Sequence, residues 1–333
     1  MPFTLLLLTV LAQASSAQLA PSAYVPERVF DTRRGAFADL EVMIADLATA
    51  DVILVGEQHD DPNTHRLEQA ILEGFLRRRV RVIVSLEMFE RDVQAAVDQY
   101  LAGSIPEEEF LKSSRPWPRY ATDYRPLVEL ARGHGWPVVA ANVPRRLAAD
   151  VAKSGRAALD SLSAADRALA ARDLLCPQDA YFERFSEAMG GHATGTAKQP
   201  PAPGGEPPAQ APNAVEAATE RYYWSQCVKD ETMAESIAAA IDRRAEQKGP
   251  VVHFTGAFHS DFGAGTAERT RRRLAGRRVV VVSILPVPSL DGLAPSEEDL
   301  TRADFLLYTH KPTPNSEVRT PKSEVRSRNI PNR

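Results

Sequence analysis

Five runs of β-branched and apolar residues punctuate the chain, at 51–57 (DVILVGE), 80–88 (VRVIVSLEM), 138–142 (VVAAN), 251–256 (VVHFTG) and 279–285 (VVVVSIL). A strand with one face in water alternates apolar with polar residues. An unbroken apolar run therefore marks a strand covered on both faces, and helical patterns alternating with such runs mark a mainly parallel sheet. The implied class is α/β, a mainly parallel central sheet flanked by helices, and 304–309 (DFLLYT) reads as a last edge strand.

Between the first two runs, Pro62 suits the first helical position, and Leu67, Ala70, Ile71, Gly74 and Phe75 form an apolar stripe ending at Arg77 to Arg79. Positive charge at a helix C-terminus complements the dipole, so these arginines and Arg271 to Arg273 read as solvated helix ends. Residues 163–189 and 215–248 carry long helical patterns that predict a helical hairpin beside the sheet. Between them lies a Pro/Gly-rich insert at 190–213, which cannot pack a core and reads as a mobile loop containing His192, to which no role is given.

The first seventeen residues form an apolar core, Phe3 to Ala12 with four consecutive leucines, then Ala14, Ser15, Ser16 and Ala17. This reads as a signal peptide cleaved near Ala17, which places the mature protein in the periplasm or outside the cell. No later stretch approaches the roughly 20 apolar residues of a membrane helix, and no Cys follows the core to carry a lipid anchor. The two cysteines, Cys176 and Cys227, are free to pair in an oxidising compartment. The expected organisation is a lead-in at 18–50, one α/β domain at 51–310, and a low-complexity, disordered tail at 311–333. That tail carries six Lys/Arg against two Glu, so the formal charge of −4 leaves −8 on the rest. A body so acidic is a poor nucleic-acid binder.

In an open parallel sheet, ligands bind beyond the carboxyl ends of the strands. Those ends hold Gly56-Glu57-Gln58-His59, then Glu87, Asn142 and Gly256-Ala257-Phe258-His259. Each of the two G-x-x-H segments frees the backbone for close approach at Gly and delivers an imidazole three residues later. Imidazole and carboxylate together are ligands for transition metals, so Glu57, His59, Glu87 and His259 form a candidate site for Zn, Mn or Co. The competing reading is that these groups merely cap the helices that follow. His65 either lines the crevice or sits on a helix surface, His253 reads as a satisfied core histidine, and His134 and His310 have no assigned role. Asp230 either reaches the pocket or caps its own helix.

The segment WPRYATDYRPL brings Trp117, Tyr120, Tyr124 and Arg125 together on an irregular loop. Such aromatics either stack on a flat ligand or form a lid with bonded hydroxyls, and Tyr is also a ligand for ferric haem iron. Beyond the third strand, Asn142-Val143-Pro144-Arg145-Arg146 places two guanidinium groups where they could pair with carboxylates, haem propionates included, although surface arginines explain the pattern equally.

Taken in order, GEQHDDPNTH, SLEMFERDVQ, WPRYATDYRPLVELA, VVAANVPRRLA, WSQCVKDETMAESIA and HFTGAFH resemble the ChaN family of haem-binding uptake proteins, within the Tiki, TraB and erythromycin-esterase-like superfamily. The resemblance runs from about Asp51 to Leu285. It implies haem as cofactor, with Tyr124 the first choice of iron ligand and Tyr120 the second, and Arg125 or Arg145 on the propionates. The alternative it implies is a Tiki-type metal-dependent hydrolase, with Glu57 as general base on a water held by His59 and His259. A metal-free esterase would use either histidine as the base. ChaN proteins are typically lipoproteins, and the missing lipidation Cys departs from that pattern. A haem or other small-molecule ligand is the expected partner, and a homodimer is left open.

Overall fold

The computed structural model describes residues 25–194, 212–243 and 249–311. The segment read as a signal peptide, all of the basic tail beyond Lys311 and the middle of the Pro/Gly-rich insert lie outside the described residues.

Eight strands make one sheet: β1 (Glu27–Asp31), β2 (Ala36–Ala38), β3 (Val52–Glu57), β4 (Ile83–Glu90), β5 (Val138–Asn142), β6 (Val251–Gly256), β7 (Val279–Val287) and β8 (Phe305–His310). Their order is β2-β1-β8-β7-β3-β6-β4-β5. From β8 to β5 every pairing is parallel, and β1 and β2 add an antiparallel edge. The predicted α/β class holds. All six strands read from the sequence are present, while β1 and β2 come from the lead-in, where three- and five-residue strands leave too short a pattern to read.

Successive side chains of a strand point to opposite faces, and the sheet divides its apolar residues accordingly. Ile53 and Val55 pack with Leu67, Ile71 and Phe75 of the helix Pro62–Arg77 and with Leu127 and Val128 of the helix Arg125–Gly133. Val52 and Leu54 pack with Ile237 and Ala240 of the helix Pro212–Arg243 and with Ala267 of the helix Gly265–Arg273. Asp61 caps Pro62–Arg77 by accepting from Asn63 N at 2.7 Å and Thr64 N at 3.1 Å, which pins the turn that follows β3.

Two expectations change. The pattern at 163–189 is not one helix: Ala164–Arg167 and Ala180–Thr194 are separated by irregular chain holding Cys176 and Pro177, and the residue before a proline is steered out of the α region. Arg271 to Arg273 do end a helix, and Arg271 is exposed there as expected, but the other two are also tied to the core. Arg272 and Arg273 turn onto the fully buried Glu231 at 2.6 and 2.5 Å, alongside Arg269 at 3.4 Å. Cys176 and Cys227 form a disulfide, with Cα atoms 5.7 Å apart, so the segment leading to Ala180–Thr194 is tied to the long helix.

Candidate functional site

β3 and β6 are adjacent and in register, so Glu57 lies opposite Gly256 and the two G-x-x-H turns leave the sheet side by side. Glu57 is buried, and its Oε1 lies 2.5 Å from His59 Nδ1 and accepts from Tyr124 Oη at 2.8 Å. The His59 side chain remains 45% exposed on a crevice of about 410 Å³, with its Nε2 over Gly256. A Cβ on Gly256 would stand 2.7 Å from that nitrogen, so this glycine leaves room for the ring.

A register shift between Leu86 and Glu90 kinks β4 where Glu87 sits. Such an irregularity re-aims a side chain, and Glu87 Oε2 accepts from Thr255 Oγ1 at 2.6 Å and from Gly256 N at 2.8 Å. Its Oε1 lies 3.6 Å from His259 Nε2, and His259 Nδ1 lies 2.7 Å from Asp230 Oδ1. Asp230 also accepts from Tyr181 Oη and Thr266 Oγ1, each at 2.8 Å. Two carboxylate–imidazole units, Glu57 with His59 and Asp230 with His259, thus flank Glu87.

Burial pushes the Glu87 carboxyl up, but the positive charges of His259 and His59 and the bonds from Thr255 and Gly256 outweigh it and bring the group down to about 2. For His259, burial disfavours the charged ring, and the charges of Glu87 and Asp230 overcome this and raise it. Burial also works against His59, which the bond to Glu57 and the charge of Glu87 raise. Behind this row, burial and the charge of Glu57 hold Glu68 well above the ordinary carboxyl range. His65 sits buried between Glu68 Oε2 at 3.1 Å and the carbonyl of His59 at 3.2 Å. His253 is fully buried and meets Ser85 Oγ at 2.9 Å through Nδ1, but its Nε2 has no hydrogen-bond partner among the described residues, so it is only half satisfied. Burial brings it down to about 4.

The structure brings Glu57, His59 and His259 to the crevice, with Glu87 buried behind His259. It does not converge those four on one point. Among the described residues, the group whose ligand atoms lie within 4.8 Å of one another is Glu57, His65 and Glu68. The remaining candidates are spread further. Trp117 packs its edge on His59, with ring centroids 5.2 Å apart, and Tyr124 is buried behind it. Tyr120 is in the core with Phe89 and Phe110. Arg125 pairs with Glu107 at 2.5 and 2.9 Å. Asn142 donates to the Glu87 carbonyl at 3.1 Å and accepts from Val143 N at 2.9 Å, bracketing β4 to β5. Arg145 lines a separate surface hollow with Glu90, Asp92, Arg115 and Arg146.

Sequence reasoning missed the opposite wall of the crevice, which is made by Tyr181, Arg184, Phe258, Phe262 and Arg302. Phe258 had a signal, since it lies inside the second G-x-x-H. Tyr181 and Arg184 had none beyond a generic helical pattern.

The fold is that of an α/β protein with a crevice beyond the carboxyl ends of adjacent parallel strands, the place where open parallel sheets commonly hold ligands. The chain belongs to the family described as haem-binding uptake, Tiki superfamily, ChaN, whose model matches residues 43–270. Among solved structures, ChaN of Campylobacter jejuni, described with cofacial haem binding, is 16% identical with a TM-score of 0.57, and the match covers 84% of this chain and 96% of that one. A Bacillus cereus protein is 10% identical with a TM-score of 0.45, over 82% of this chain and 91% of that one. A mutant of erythromycin esterase EreC is 12% identical with a TM-score of 0.43, over 86% and 83%. No curated protein matches the chain.

Proposed function

We propose that this chain is an exported haem-binding protein acting in haem or haem-iron uptake, with the macrocycle held in the crevice between the two G-x-x-H turns. The family supports haem as the ligand class. The observation that carries the placement is the chemistry of the crevice: aromatic side chains of Phe258 and Phe262 on one wall, and the exposed imidazole of His59 on the other. Its volume falls within the roughly 300–1,000 Å³ of small-molecule sites.

These residues fit the group. When bound, haem would supply an iron centre able to take a protein ligand. Glu57 holds His59 Nδ1 and so leaves Nε2 as the ring nitrogen available to a metal, the usual role of a carboxylate behind a ligating imidazole. His59 is therefore the first choice of iron-facing residue. Tyr124, the choice implied by resemblance, has its hydroxyl committed to Glu57, and burial together with the Glu57 charge strongly disfavours its phenolate. Export is supported by the leader-like N-terminus and the disulfide, which persists in oxidising compartments. Among the described residues no helix is long and apolar enough to cross a membrane.

Titration of the full chain with ferric haem, followed by absorption spectroscopy, tests the reading. A saturable complex is expected whose iron-ligand bands are lost in His59→Ala and retained in Tyr124→Phe. Loss of those bands in Tyr124→Phe alone moves the ligand to the tyrosine, and absence of saturable binding overturns the proposal.

A further inference from the structure

At the mouth of the crevice, Phe262 takes a left-handed backbone conformation, with φ 61° and ψ 17°. A bulky side chain rarely adopts this region, and such outliers collect where a site needs a side chain held in one direction. The ring stands between two guanidinium groups, with Arg184 Cζ 4.0 Å and Arg302 Cζ 4.9 Å from its centroid.

The two arginines are not equivalent. Arg302 is consumed by three carboxylates, Asp261 at 2.8 Å, Glu298 at 3.0 Å and Asp299 at 3.1 Å. Arg184 forms no ion pair with any described residue and is exposed, held only by its contact with Phe262. Glu57, the other carboxylate lining the crevice, is paired with His59, and the buried carboxylates behind are answered as well, Asp230 by His259 and Glu87 by His259, Thr255 and Gly256. One unneutralised guanidinium therefore stands beside an aromatic wall. Its planar fork is matched to carboxylate, and stacking on Phe262 pre-orders it.

We propose that Arg184 is the carboxylate-reading residue of the crevice and that it makes the site prefer a flat apolar ligand bearing free carboxylates over the same ligand without them. This rests on the haem reading above and adds which group of the ligand is recognised and by which side chain. Arg184 lies eight positions beyond Cys176, so the disulfide ties this segment to the long helix that carries Asp230.

The test uses ferric protoporphyrin IX and its dimethyl ester, titrated into the full chain with its disulfide intact and into Arg184→Gln. A charge-assisted bond predicts that the wild-type chain binds the free acid about ten- to a hundred-fold more tightly than the ester. Arg184→Gln is expected to bring the acid down to the ester's affinity and leave ester binding in place, and Arg184→Lys to keep part of the preference. Equal weakening of both ligands would show that Arg184 only props Phe262, and an unchanged preference would show that it reads nothing. Either result overturns the proposal. Failure of the wild-type chain to bind either porphyrin instead overturns the haem reading itself.

Discussion

Asp230 and His259 meet at 2.7 Å, carboxylate oxygen to ring nitrogen, joining the middle of the longest helix to the turn that follows β6. Both groups are buried, and each stabilises the other's charged form at the base of the crevice.

Replacing Asp230 with Asn keeps the shape and removes the charge. Hydrogen bonds to charged groups contribute about 1.5–3 kcal/mol, and a loss of that order is expected in denaturant unfolding. The sign of the pH effect follows from the raised His259. Its contribution is complete below the ordinary value of 6.5 and is lost as pH rises through the higher folded value. In Asp230→Asn that loss is expected to begin at lower pH, and NMR titration of the His259 ring reports it directly.

Gly256→Ala separates binding from stability. The new methyl meets the His59 ring, at 2.7 Å from Nε2 and 3.0 Å from Cε1, so the partly exposed ring must swing aside against its bond to Glu57 while the core stays untouched. The melting temperature is expected to change by no more than a few degrees, while ferric haem affinity falls by at least ten-fold. A large drop in melting temperature with intact binding would contradict this account of the glycine.

Tyr124→Phe deletes one of two donors to Glu57 Oε1. A buried carboxylate losing a donor costs about 1–3 kcal/mol, measurable by chemical denaturation. His59 retains its bond to Glu57, so the variant is expected to weaken haem binding less than His59→Ala does.

The disulfide closes a loop across a sequence separation of 51 residues. In the chain-entropy model that contributes about 4 kcal/mol, so reduction or Cys227→Ser is expected to lower unfolding stability by that order. Because the bridge anchors the segment that leads to Tyr181 and Arg184, haem affinity is expected to fall in the folded, reduced protein as well. Parallel titrations with and without reductant check both effects.

Much of the site was legible because it is local. Glu57, His59 and His259 stand at the ends of strands whose apolar runs announce them, and in a parallel sheet all such ends share one edge. Glu68 gave no comparable signal. It sits within an ordinary amphipathic helix, and only the approach of that helix to β3 sets its charge against Glu57.

From its own residues the chain determined the parallel sheet, the edge where chemistry gathers and the identity of its two imidazoles, because strand patterning and chain reversal act over a few residues. Tertiary structure alone decided which carboxylate partners each imidazole and which aromatic and arginine face them. Tyr181 and Arg184 reach the crevice, and Asp230 reaches His259 behind it, from helices outside the strand-end pattern; long-range packing and the Cys176–Cys227 bridge bring them there, which no local period encodes.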